Sequence, residues 1–175
     1  AKSKELFEAY GECVESLGGR YLTAEDVNTT VEDMSYVLNK TSHVVGRDGV
    51  SGDPSPFTAL GCLEGIKATA KFINGSDDLH GVKVAVQGLG HVGLDLAERL
   101  YKEGAELIVC TASNRAAAEK AINEFNAVEV GIQDIYSVDC DIFAPCALGA
   151  IVNKNTLPHL QCRAIAGAAN NVLFD

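Results

Sequence analysis

The residues whose spacing best suits chemistry are Gly88-Leu89-Gly90-His91-Val92-Gly93, a GxGxxG run. Alone the pattern is weak. Here it follows an apolar stretch, VKVAVQ at residues 82–87, and opens an amphipathic one, the context that gives such glycines a role in binding a dinucleotide. Gly88 permits a tight turn, Gly90 lets the backbone approach a pyrophosphate, and Gly93 lets the helix pack on its strand. The free N–H groups of the helix start then face the phosphates. The plainer alternative is a glycine turn that merely joins strand to helix.

Dinucleotide turns of this kind commonly place an acidic residue about 20 positions on, where it holds the ribose 2′-hydroxyl. No acid stands there: the segment reads CTASNR at residues 110–115. Thr111 ends the strand, Ser113 and Asn114 offer hydrogen bonds, and Arg115 offers a partner for a 2′-phosphate. The cofactor is therefore NAD or NADP. Either NADP is accepted through Arg115, or Arg115 is a solvated first-turn residue and NAD binds without the acidic contact.

Two further groups fall at the carboxyl ends of expected strands, the edge where such sheets bind ligands. Cys146-Ala147 follows one, and Asn170-Asn171 follows another. A side-chain amide donates and accepts at once, which suits a carboxamide or an amino group; a simple turn pair is the alternative for the asparagines. The six cysteines (13, 62, 110, 140, 146 and 162) form no CxxC pair, and the four histidines are scattered. No metal site is expected, and the thiols read as small buried apolar groups.

The elements that must hold these residues follow from periodicity. Residues 4–17 carry an apolar helical stripe stopped by Gly18-Gly19, and 20–23 form a possible strand. Thr30 to Asp33 has the form of a capping box for a short helix to residue 40. Residues 43–56 are loop. A long helix is expected from Ser55, with Pro56 in its first turn, to residue 72. Strands at 82–87, 106–110, 128–130, 141–144 and 163–166 then alternate with helices at 91–103 and 115–125 and a helical turn within 151–160. This is an α/β pattern: a doubly wound, parallel, Rossmann-type sheet.

The chain has 175 residues, 47% hydrophobic, and a formal net charge of −10. That permits a sizeable core and makes nucleic acid an unsuitable partner. No apolar run is long enough to cross a membrane, and the N-terminus lacks the pattern of a signal peptide. A cytoplasmic location is expected.

Five runs, TAEDVNTTVED (23–33), SGDPSPFT (51–58), VAVQGLGHVG (84–93), CDIFAPCALGAIVN (140–153) and AIAGAANN (164–171), together resemble the glutamate/leucine/phenylalanine/valine dehydrogenases, most nearly the leucine branch. The resemblance implies reversible oxidative deamination of an aliphatic, leucine-like L-amino acid to its 2-oxo acid and ammonia, in a homo-oligomer. It makes Asp26 the catalytic carboxylate, although Thr23-x-x-Asp26 also reads as a capping pair. It places Thr58 and Asn171 at the substrate, and residues 88–94 (ending in Leu94), Thr111, Cys146, Ala147 and Asn170 at the cofactor. It also implies a partial substrate domain at 1–53 and a dinucleotide domain at 54–175. The family's GGxK-type lysine segment does not occur in these 175 residues, so the chain reads as the central part of a longer enzyme, inactive alone. A non-catalytic dinucleotide-binding or regulatory module is the alternative, which the presence of Asp26 and the asparagines disfavours.

Overall fold

The computed structural model describes residues 2–26, 28–45 and 53–174. The expected loop at 43–56 therefore lies partly outside the described residues. The chain divides into two compact units, Ala1–Pro54 and Ser55–Asp175.

The first unit holds two helices, α1 (Lys4–Ser16) and α2 (Val31–Leu38). Ser3 caps α1 by accepting from the Leu6 N–H. The expected capping box is present on α2: Thr30 accepts from the Asp33 N–H, and the Asp33 carboxylate accepts from the Thr30 N–H. Phe7, Met34, Val37 and Val44 form a small core. Residues 20–23 do not make a strand. Among the described residues Thr23 forms an isolated parallel bridge with Val44 and no longer ladder.

The second unit opens with α3 (Ser55–Asn74), two residues longer than its apolar period suggests. There follow β1 (Lys83–Gln87), α4 (His91–Lys102), β2 (Glu106–Cys110), α5 (Arg115–Phe125), β3 (Val128–Glu129), β4 (Ile142–Pro145) and β5 (Ala164–Ile165). The five strands are parallel, in the order β3-β2-β1-β4-β5. β4 is buried throughout, and β1 beyond its first residue, which is why their sequences are apolar without alternation.

The alternation survives in which face each residue serves. Val84, Val86, Leu107, Val109, Ile142 and Ala144 meet the buried residues of α3, α4 and α5 in the main core. Ala85, Cys110 and Phe143 point to the other face and pack with Ile135, Cys140, Tyr136 and Leu160. No long helix covers that second face among the described residues. The crossovers from β3 to β4 and from β4 to β5 carry only short 3₁₀ turns, Asp134–Tyr136 and Leu157–His159.

Candidate functional site

The strand order reverses at β1, whose neighbours are β2 on one side and β4 on the other. In sheets of this kind ligands bind at the carboxyl edge of that switch point. The glycine turn lies there. Gly88 has φ +92°, a conformation that favours glycine, and its N–H donates to the Cys110 carbonyl at 2.9 Å. A Cβ on Gly88 would come within 2.7 Å of the Ala147 Cβ. A Cβ on Gly93 would overlap the Gly88 carbonyl oxygen and lie 3.2 Å from the Cys146 Cβ. The turn after β1 is thus packed against the segment after β4. The Cys146 N–H donates to the Gln87 carbonyl at 2.8 Å and fastens the two together.

Gly90 differs. A Cβ there would meet nothing within 4 Å. Gly90 is also the N-cap of α4 and supplies no side-chain cap. Open space thus lies in front of a helix start whose first N–H groups lack intrahelical partners, a cradle that fits a pyrophosphate. Leu89 is buried in the core, so only its backbone faces the turn. Val92 and Leu94 also pack against the core, and His91 is exposed.

At the end of β2, the Thr111 hydroxyl accepts from the Asn114 N–H at 3.3 Å. The Asn114 amide donates to the Leu89 carbonyl at 2.9 Å, while its oxygen caps α5 at the Ala117 N–H. One side chain therefore joins the glycine turn to the turn after β2. Ser113 is exposed. Arg115 stands exposed in the first turn of α5 and is ion-paired there: its Nη1 donates to both oxygens of Glu129 at 2.8 and 2.7 Å, and its Nε donates to Glu119 at 3.3 Å. Glu129, the last residue of β3, was not singled out by sequence. Its strand is two residues long, and only the ladder to β2 brings it here.

The segments after β4 and β5 run side by side. The N–H groups of Ala168 and Ala169 donate to the Pro145 carbonyl at 2.9 Å, and the Ala150 N–H donates to the Asn171 carbonyl at 2.8 Å. Asn170 and Asn171 are exposed, and Asn171 is left-handed, at φ +47°. Cys146 is half-buried, and burial pushes its thiol up to about 11. Beneath this edge the Gln87 amide donates to the Tyr136 hydroxyl at 2.7 Å. Thr58 sits exposed in the first turn of α3.

Asp26 belongs to the first unit. No helix starts at Thr23, so the capping alternative for that pair fails. Instead the Asp26 N–H donates to the Thr29 hydroxyl oxygen at 2.8 Å, and the Thr29 N–H and hydroxyl both donate to the Asp26 carbonyl. Asp26 lines a cavity of about 580 Å³ with Leu6, Phe7, Tyr10 and Met34. The structure thus gathers residues 88–94, 111–115, 146–147 and 170–171 along one sheet edge in the second unit, with Asp26 on a cavity of the first.

No protein-family model matches the chain. It is similar to the leucine dehydrogenase of Bacillus subtilis, with 50% identity over 175 residues, covering 98% of this chain and 48% of that protein. It is 48% identical over 172 residues to the L-tryptophan dehydrogenase of Nostoc punctiforme, again covering 98% of this chain and 48% of that protein. A crystal structure of L-tryptophan dehydrogenase from Nostoc punctiforme superposes with a TM-score of 0.77 at 44% identity, over 99% of this chain and 49% of that one. A hetero-hexameric glutamate dehydrogenase from Thermus thermophilus, at 20% identity and TM-score 0.75 over 97% of this chain and 47% of that one, shares the fold. The chain spans about half the length of the curated relatives it matches. With this identity along nearly its whole length, and with the parallel sheet and glycine turn in place, the chain is homologous to the half of the amino-acid dehydrogenases that it spans.

Proposed function

We propose that this chain is the dinucleotide-binding part, with an adjoining piece of the substrate domain, of an enzyme that oxidatively deaminates an aliphatic L-amino acid to its 2-oxo acid and ammonia. One observation carries the reading: the uncapped, open glycine turn at the β1/β4 switch point, in a chain about half identical to leucine dehydrogenases. Bound nicotinamide dinucleotide supplies the hydride acceptor; positioning and proton transfer fall to the protein.

Residues 88–94 hold the pyrophosphate by backbone N–H groups, which is why Leu89 can bury its side chain. Thr111, Ser113 and Arg115 border the adenosine ribose. Cys146 and Ala147 wall the nicotinamide side, and the Asn170 amide meets the carboxamide. Asn171 and Thr58 contact the amino acid. Asp26 shuttles protons with the substrate amino group and the attacking water, taking a proton as a general base and returning it as a general acid when ammonia leaves. The substrate is a small amino acid and 2-oxo acid pair, and the working form is a homo-oligomer; both rest on the family resemblance.

The test separates binding from turnover. Titrating the 175-residue chain with NADH or NADPH raises nicotinamide fluorescence to saturation. The same chain gives no leucine-dependent reduction of either cofactor, because no GGxK-type lysine stands in its sequence to support attack by water. Turnover by this chain alone would remove the assigned role of that lysine, and a lack of binding would remove the reading itself.

A further inference from the structure

The acid that usually holds the ribose diol at the end of β2 is replaced by Thr111, yet the site does contain a carboxylate. Val109 of β2 stands opposite Glu129 of β3, and the Val130 N–H donates to the Val109 carbonyl at 3.0 Å. Glu129 therefore lies beside the carboxyl end of β2. Its charge is near enough to help raise the Cys110 thiol. Its side chain is 27% exposed, against 61% for Arg115.

Arg115 is the cation a 2′-phosphate would need. It is already paired: both Glu129 oxygens accept from one guanidinium nitrogen, and Glu119 accepts from Nε. One positive charge against two negative ones leaves this cluster at −1. A ribose diol is neutral and meets the Thr111 hydroxyl without disturbing the pair. A 2′-phosphate, with close to two negative charges, meets a guanidinium whose charge Glu129 and Glu119 already offset, and it must sit beside those carboxylates.

We propose that Glu129 is a specificity-determining residue that, by holding Arg115, makes the ribose pocket prefer NAD over NADP. From the neighbouring strand it disfavours a 2′-phosphate, as an acid at the end of β2 does elsewhere, but without contacting the ribose itself. It is a positioning residue, acting through Arg115, and the inference rests on the dinucleotide reading of the glycine turn.

The test is equilibrium titration of NADH and NADPH against the 175-residue chain and its Glu129→Gln variant, with circular dichroism to confirm folding. The wild type binds NADH at least about tenfold more tightly. In E129Q the freed Arg115 brings the NADPH:NADH affinity ratio up by about tenfold, roughly 1.4 kcal/mol, with NADH binding little changed. A second measurement needs no variant. If repulsion from Glu129 governs the ratio, salt narrows the wild-type preference, because it screens exposed charges; if Arg115 recruits the phosphate, salt lowers NADPH affinity instead. Tighter NADPH binding by the wild type, a folded E129Q with an unchanged ratio, or a salt response of the second kind overturns the proposal. Failure to bind either dinucleotide overturns the reading beneath it as well.

Discussion

Three glycines in one turn have three different physical reasons, and substitution separates them. At Gly93 a methyl group would overlap the Gly88 carbonyl, backbone that cannot step aside. Gly93→Ala should cost about 1–3 kcal/mol by overpacking, seen as a fall in melting temperature together with loss of dinucleotide binding. At Gly90 a methyl group meets open space. Gly90→Ala should leave the melting temperature within a degree or two and still weaken NADH binding, because the methyl group occupies the room the pyrophosphate needs. Equal binding by G90A and the wild type would place the pyrophosphate elsewhere. Residue types alone announced this turn. They did not announce Glu129: an acid in a weak two-residue strand carries no local signature, and its importance comes from whom it faces.

Asn114 shows how an element is tied to its neighbour. Its oxygen caps α5, and its amide holds the Leu89 carbonyl of the preceding turn. Asn114→Ala should lower stability by about 1 kcal/mol, the usual worth of such a cap, and weaken dinucleotide binding. Asn114→Ser keeps the cap but loses the amide donor, so urea unfolding should stay near wild type while NADH binding still weakens. Most elements were legible in the sequence, because apolar period and capping residues act locally: α1, the capping box of α2, α4 and α5 all stand close to where the pattern puts them. The expected strand at 20–23 failed for the opposite reason. Strand pairing is a long-range contact, and Thr23 finds only Val44. β3 and β5 likewise shrink to two residues each, since their partners set how far the ladder runs.

Across the whole chain the buried thiols govern one response to pH. Burial pushes Cys140 up to about 12 and Cys146 up to about 11, from an ordinary value of 9.0. Both groups stay protonated in the fold after the unfolded chain has begun to release their protons, so the unfolded state binds fewer protons above pH 9. Stability therefore falls with rising pH between about 9 and 12. Urea midpoints measured across that range should decline, and Cys140→Ala should flatten the decline even if it lowers the plateau. A midpoint that stays level to pH 11 would show that these thiols do not control alkaline stability.

The sequence by itself determined the glycine turn, the alternation of strand and helix behind it, and the resemblance to amino-acid dehydrogenases. All of these depend on residue type and spacing along the chain. Only the tertiary structure decided that the main core lies on one sheet face under α3, α4 and α5, with short turns on the other. It also decided that Asn114 bridges two turns, that Thr23 caps no helix, and that Arg115 is held by Glu129. Each of these is a meeting of groups distant in sequence, set by strand order and register, and local propensity carries no information about such partners.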